Sequence, residues 1–177
     1  SSTAGWMSVH SAATSYQIYR STAKDGDYQN IKTINSVGTS SWTDGSVKTG
    51  KTYYYKIKTV VKTQNGEQTS GFSNVKSAKA VPAKTTLKAK ASDAKNVKLT
   101  WSKVKGASGY EIYRSNSKDG KCSKVKTISK GSTTSYKNGK LKKSTTYYYK
   151  IRAYRKVNGK KVYGSYSSVV SVKTKAK

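Results

Sequence analysis

Apolar and polar residues alternate along most of the chain with a period of two. In the C-terminal half, Val97, Leu99 and Trp101 alternate with Lys98 and Thr100, which is typical of a strand with one buried face. No segment has a convincing helical period, so the pattern predicts strands throughout. The longest alternating stretch has one face with Tyr147, Tyr149, Ile151 and Ala153, and another with Tyr148, Lys150, Arg152 and Tyr154.

A shorter stretch in the same half has the same alternation. It places Tyr110 and Ile112 inward and Glu111 and Tyr113 outward. An Asn-Gly pair, typical of a tight hairpin turn, follows the longest stretch at 158–159. Short alternating strands between turn signals predict an all-β sandwich.

The chain contains an internal repeat with an offset of 94 residues. The segment SYQIYRSTAKDG at 15–26 matches GYEIYRSNSKDG at 109–120 at eight of twelve positions. Two later pairs of blocks keep this offset: KTYYYKIKT from Lys51 with TTYYYKIRA from Thr145, and GFSNV from Gly71 with SYSSV from Ser165.

The repeat predicts two domains, at 1–81 and 82–177. The only proline of the chain, Pro82, lies at the boundary. A proline there stiffens the junction and cannot extend a paired strand.

The order of core residues in the second repeat resembles that of a fibronectin type III domain. Trp101 matches the family's core tryptophan on strand B, and Leu141 and Tyr147 match its leucine and tyrosine corner before strand F. The first repeat carries Trp6 and Tyr53 at the corresponding positions. The resemblance implies two tandem immunoglobulin-like β-sandwiches, with these five residues in their cores.

The lysine-rich blocks Y-x-I-Y-R-S…K-D-G and Y-Y-Y-K are similar to those of surface and cell-wall proteins of Gram-positive bacteria. This similarity implies a secreted protein at the cell surface or in the cell wall, with neighbouring domains of the same protein among its partners. The chain departs from the family pattern after the corner leucine, where Thr49 and Lys143 replace the usual proline.

The first repeat reaches Trp6 without a preceding strand, whereas Leu87, Ala89 and Ala91 alternate ahead of Trp101 in the second. A sandwich that lacks this strand exposes an unpaired edge and loses apolar cover over its tryptophan. We expect the natural protein to continue N-terminally and the first repeat to be the less stable one. A neighbouring chain could fill the open edge by strand addition.

Tyrosine supplies much of the predicted core. Hydrophobic residues make up only 33% of the chain, but fifteen Tyr and three Trp can bury large apolar bodies while their polar tips stay bonded. The single cysteine, Cys122, excludes an internal disulfide. No apolar run has the length of a membrane span.

The charge is strongly basic, with 36 Lys and Arg against seven acidic residues. Only four of the cations are Arg, so the surface favours diffuse attraction to a polyanion over sequence-specific nucleic-acid recognition. The charge is also unevenly divided. Residues 1–81 hold ten cations against four acids, whereas residues 82–177 hold 26 against three.

One face of the second repeat is the candidate binding site. Aromatic rings interleaved with cations could hold sugar rings or an anionic polymer such as teichoic acid. The same residues also suit an ordinary solvated face, because they stabilise cross-strand pairs and raise solubility. The predicted outward residues are Tyr113, Tyr148, Lys150, Arg152 and Tyr154, with Lys124 and Lys126 alongside.

Catalysis needs a positioned acid, base or nucleophile, and the chain has few candidates. His10 is the only histidine, and no suitable metal ligands lie near it in the sequence. The Asp-Gly pairs at 25–26 and 119–120 mark turns, and Cys122 has no histidine to activate it. The sequence predicts no enzyme, no metal site and no cofactor.

Three hypotheses about function follow. The first is a non-catalytic extracellular spacer that presents or anchors neighbouring domains near an anionic cell-wall polymer. The second is an adhesion module that recognises a carbohydrate or host ligand through the Tyr/Lys face. The third, single-stranded nucleic-acid binding, would require a groove in place of a flat face, and lysines offer no base readout.

Overall fold

The computed structural model describes residues 13–177, and every regular element in that range is a β-strand in an antiparallel sheet. The chain divides into two compact units, Ser1–Ala80 (unit 1) and Val81–Lys177 (unit 2). The predicted all-β, immunoglobulin-like fold class is confirmed. The predicted positions of Trp6 and His10 lie outside the described residues.

Residues 13–80 of unit 1 form one five-stranded sheet in the order β2-β1-β3-β4, with β5 also paired to β3. Gly66, the first residue of β4 after the tight turn at 64–65, has a φ of 111°, which favours glycine. The strands are β1 (Ser15–Ser21), β2 (Gln29–Ile34), β3 (Thr52–Thr63), β4 (Gly66–Thr69) and β5 (Lys76–Lys79).

Unit 2 contains two sheets. The smaller has the order β10-β7-β6, and the larger has the order β9-β8-β11-β12, with β13 also paired to β11. Asn158 and Gly159 both have positive φ, as a type I′ hairpin turn requires. The strands are β6 (Leu87–Ala91), β7 (Val97–Trp101), β8 (Gly109–Ser115), β9 (Ser123–Ile128), β10 (Ser135–Asn138), β11 (Thr146–Val157), β12 (Lys160–Tyr163) and β13 (Val170–Lys173).

The core of unit 2 lies between its two sheets. Leu99 of β7 is fully buried there with Ile112 of β8 and Ile151 of β11. The rings of Trp101 and Tyr110 lie 5.4 Å apart, so aromatic side chains fill much of this space. These are the inward positions that the alternation predicts.

A buried tyrosine is the second residue of the central strand in each five-stranded sheet, Tyr53 in β3 and Tyr147 in β11. The phenolic oxygen of Tyr147 accepts a hydrogen bond from the backbone N–H of Lys142 at 2.9 Å. In unit 1, Tyr53 accepts one from Lys48 N–H at 3.0 Å. Leu141, the residue before Lys142, is also buried. The hydroxyl therefore satisfies a backbone donor, which a phenylalanine could not do.

The inward face of the unit 1 sheet is only partly covered by residues 13–80. Ile57 of β3 is 43% exposed, whereas Ile151, at the same position of the repeat, is 0% exposed. A cleft of about 420 Å³, lined by Ile18, Trp42, Tyr53 and other residues of this unit, lies against the face. Unit 2 buries the equivalent surface under its smaller sheet.

Candidate binding face of unit 2

The outward side of β8, β9 and β11 carries most of the predicted binding residues. Tyr113 pairs directly with Lys150 on one side and with Lys124 on the other. Tyr148 and Arg152 follow on β11, and both are half-buried. The structure therefore brings these five side chains to one face.

Lys126 lies elsewhere. Its register partner on β8 is the inward residue Ile112, and its Nζ lies 5.8 Å from the ring centroid of Tyr136 in the smaller sheet. The β8–β9 ladder slips by one residue between Ile112 and Tyr113, which is typical of a β-bulge and redirects side chains. The structure therefore places Lys126 away from the candidate face.

Tyr154 is buried at the hairpin formed by β11 and β12. Its prediction as an accessible residue is therefore wrong. It is only 1% exposed, and its hydroxyl donates to the carbonyl oxygen of Ile128 at 3.2 Å. Its partner across the hairpin is Tyr163, whose ring centroid lies 6.2 Å away. Lys161 Nζ covers the ring at 4.5 Å. Neighbouring side chains of β12 thus bury a residue that the alternation alone places outward.

Glu111 is the centre of the face, and it is 1% exposed. Its carboxylate accepts hydrogen bonds from Arg152 at 2.9 Å, from Lys161 at 3.0 Å and from the Tyr113 hydroxyl at 2.8 Å. The Tyr163 hydroxyl donates a further one at 3.2 Å. A buried carboxylate with this many donors is fully compensated.

The ionisation of Glu111 follows from these contacts. Burial alone would raise its pKa, because it disfavours the charged form. The hydrogen bonds from Arg152, Lys161 and Tyr113 outweigh burial and lower the pKa of Glu111 to about 2. The carboxylate is therefore ionised at neutral pH, and it pairs with three cations of the face, namely Arg152, Lys161 and, at 3.6 Å, Lys124.

Arg152 is thereby an internal residue of the face. Besides Glu111, its guanidinium contacts the rings of Tyr163 at 3.7 Å and Tyr166 at 4.9 Å. A planar guanidinium between a carboxylate and aromatic rings is held in place, and little of its charge is free for a ligand.

Several residues of this network escaped the sequence reasoning, namely Glu111 as an acceptor, Lys161, Tyr163 and Tyr166. Signals for two of them were present. Alternation places Glu111 on the same side as Tyr113, and a two-residue Asn-Gly turn sets a hairpin register that pairs Tyr154 with Tyr163.

The corresponding face of unit 1 has no acid at the position of Glu111, although Glu67 of β4 occupies the repeat position of Lys161 and pairs with Lys62 at 3.5 Å. Gln17 occupies the repeat position of Glu111, and Lys58 occupies that of Arg152. Phe72 is 45% exposed, and the Nζ atoms of Lys56 and Lys58 lie 5.2 and 4.2 Å from its ring centroid. In the described chain neither lysine belongs to an ion pair.

Comparison with known proteins gives similarity in fold only. No family model matches the chain. No curated protein matches it either. One similar solved structure is that of the FN1-FN3 domains of chicken CNTN1, at 20% identity and a TM-score of 0.47. The similarity covers 91% of this chain and 56% of that chain. Another is FN3tt, at 21% identity and a TM-score of 0.45, covering 55% of this chain and 99% of that one.

By its own strand order, unit 2 is a fibronectin type III-like sandwich.

Within residues 13–177, no group of three or more His, Cys, Asp or Glu side chains could hold a metal ion. The same range contains no helix of the length and apolarity needed to cross a membrane. Cys122 is a free, half-buried thiol.

Proposed function

We propose that this chain is a non-catalytic extracellular spacer and presentation module of a bacterial surface protein, and that it associates electrostatically with anionic cell-wall polymer. The observation that carries the proposal is the lysine excess of unit 2. Residues 82–177 hold 26 Lys and Arg, and their only acids are Asp93, Glu111 and Asp119.

The acids of unit 2 reduce this excess very little. Glu111 is buried and forms ion pairs with Arg152, Lys161 and Lys124. Asp93 accepts hydrogen bonds from the backbone N–H of Lys95 and from the side chain of Asn96, which hold its turn together. Most of the lysines consequently face solvent without a counter-charge, and a long polyanion can replace their small counterions at a gain in entropy.

Binding of the full chain to glycerol-phosphate teichoic acid at increasing salt tests this proposal. We expect the logarithm of the association constant to fall steeply and linearly with the logarithm of salt concentration. Dextran serves as the uncharged control polymer and should not bind. Absence of binding even at low salt, or binding that salt does not weaken, would contradict the proposal.

A second candidate function is an adhesion module that binds a carbohydrate or host ligand on an outward aromatic face. The observation in its favour is Phe72, an exposed ring flanked by Lys56 and Lys58, neither of which forms an ion pair in the described chain. Such a ring can stack on a sugar, and the lysines can hold an acidic substituent. A glycan array would then give a saturable, salt-resistant signal that is lost in Phe72→Ala. Val169→Ala, at an exposed apolar residue of unit 2, is the matched control.

A further inference from the structure

The outward face of the smaller sheet of unit 2 carries a lysine on each of its three strands. Lys90 of β6 lies directly opposite Lys98 of β7, and Lys98 lies directly opposite Lys137 of β10. All three are exposed. We call these three residues the lysine row. Lys88, two residues before Lys90, adds a fourth exposed cation on β6.

This arrangement is unfavourable for the fold itself. Neighbouring strands lie about 4.8 Å apart, and like charges directly opposite each other destabilise a sheet. In residues 13–177, no ion pair includes a member of the lysine row. The next row of the same face contains Lys88, Thr100 and Ser135, so neutral side chains are compatible with this surface on β7 and β10.

Protection of sheet edges does not explain the lysine row. Lysines on edge strands discourage pairing with other chains, and this would account for Lys90 and Lys137. Lys98 is on the central strand, where both backbone edges are already paired. Its position between two other lysines therefore calls for a different cause.

We propose that the lysine row is a binding site for a linear polyphosphodiester, which crosses the three strands with successive phosphates near successive lysines. This inference rests on the proposed function and names its site. Two strand spacings place the three backbone positions within about 10 Å, and the flexible lysine stems can adjust to the spacing of the phosphates.

The chemistry of the face favours this occupant. Lysine binds phosphate as a point charge, and the row contains no arginine that would select planar, bidentate partners. The other outward positions of the three strands are a fourth lysine, Lys88, and the hydroxyl residues Thr100 and Ser135, none of which offers a ring for stacking on sugars or bases. Charge is therefore the main basis of recognition, as suits a polymer that carries one charge per repeat.

The experiment compares two triple variants of the full chain that lose the same charge. The row variant is Lys90→Thr, Lys98→Thr and Lys137→Thr, since threonine is already present in this sheet and suits strands. The control variant is Lys121→Thr, Lys130→Thr and Lys143→Thr, at exposed positions of unit 2 outside the strands. The probe is glycerol-phosphate teichoic acid, and heparin is tested in parallel as a sulfated glycan.

We expect the row variant to lose at least tenfold in affinity at physiological salt, and the control variant to lose less than about threefold. The slope of log affinity against log salt should decrease by about two in the row variant, because about three fewer counterions are released. Without polymer, the row variant should also melt at a higher temperature than wild type. Polymer should raise the melting temperature of wild type more than that of the row variant.

The outcomes separate the two proposals. If wild type does not bind the polymer at all, the proposed function fails. If wild type binds and both variants lose equal affinity, net charge alone is responsible and the lysine row is not a site. If heparin depends on the row and teichoic acid does not, the site is real but its occupant is a sulfated glycan, and the assignment to a polyphosphodiester is wrong.

Discussion

The hydroxyl of Tyr149 donates a hydrogen bond to Oδ1 of Asn138 at 2.8 Å in the interior of unit 2. Arg114 donates to the same oxygen at 3.1 Å. Asn138 belongs to the smaller sheet, whereas Tyr149 and Arg114 belong to the larger one. This polar contact therefore joins the two sheets at a point where the rest of the core is apolar.

Unit 1 has a charged version of the same contact. Asp44 occupies the repeat position of Asn138, and it accepts hydrogen bonds from Arg20 at 2.7 Å and from Tyr55 at 3.0 Å. Burial raises the pKa of Asp44, but the hydrogen bonds from Ser46, Arg20 and Tyr55 outweigh it and lower the pKa to about 2. The acceptor of this contact is therefore a neutral amide in unit 2 and a carboxylate in unit 1.

Asp44 should make the stability of unit 1 depend on pH. Because its folded pKa is lowered from 3.8 to about 2, its contribution is fully present above the unfolded value and is lost as the pH falls towards 2. We expect Asp44→Asn to remove this part of the pH dependence. Hydrogen exchange of the β3 amides, corrected for intrinsic rates, measures it unit by unit. The same pH profile in both proteins would argue against the prediction.

Tyr147→Phe should destabilise unit 2 by about 1 kcal/mol, because the N–H of Lys142 loses its acceptor while the ring stays buried. Tyr148→Phe, on the opposite face of the same strand, is the matched control and should cost less. The midpoint of urea unfolding, followed by probes in unit 2, is the measurement. An unchanged midpoint in Tyr147→Phe would mean that the hydroxyl contributes nothing to stability.

Glu111→Gln should destabilise unit 2 by about 2 kcal/mol, because Arg152 and Lys161 would keep their positions without a counter-charge. It should also weaken the dependence of the stability of unit 2 on pH in the acidic range. The folded pKa of Glu111 is about 2 against an ordinary 4.5, so its stabilisation is complete above 4.5 and is lost as the pH falls towards 2. Asp119→Asn, at an exposed turn, should change neither property. Equal effects of the two substitutions on urea unfolding would refute this account.

The same substitution at one repeat position should have different costs in the two units. Ile151→Ala removes a fully buried side chain and should cost about 2–5 kcal/mol. Ile57→Ala removes one that is 43% exposed and should cost much less. For the same reason, unit 1 amides should lose protection before those of unit 2 as denaturant rises. Equal costs and equal protection would mean that the Ile57 face is covered in solution.

The sequence by itself determined the features that depend on local pattern. A period of two specifies which side of each strand is buried, and this correctly assigned Leu99, Ile112 and Ile151 to the core. The offset of 94 residues identified the repeated positions, and the resemblance of Leu141 and Tyr147 to a fibronectin type III corner indicated that Tyr147, near the start of β11, is a core residue. Each of these signals is read from the order of residues along the chain and needs no knowledge of which strands are neighbours.

Only the tertiary structure decided which outward side chains are neighbours and which remain free. Tyr154 faces outward by alternation, yet the β12 hairpin buries it, and Glu111 takes up cations from β11 and β12 that are distant from it in the sequence. The alignment of Lys90, Lys98 and Lys137 likewise depends on the register of three strands. Alternation fixes the face of a residue, but register and packing across strands fix its partners, and a one-residue slip changes every one of them.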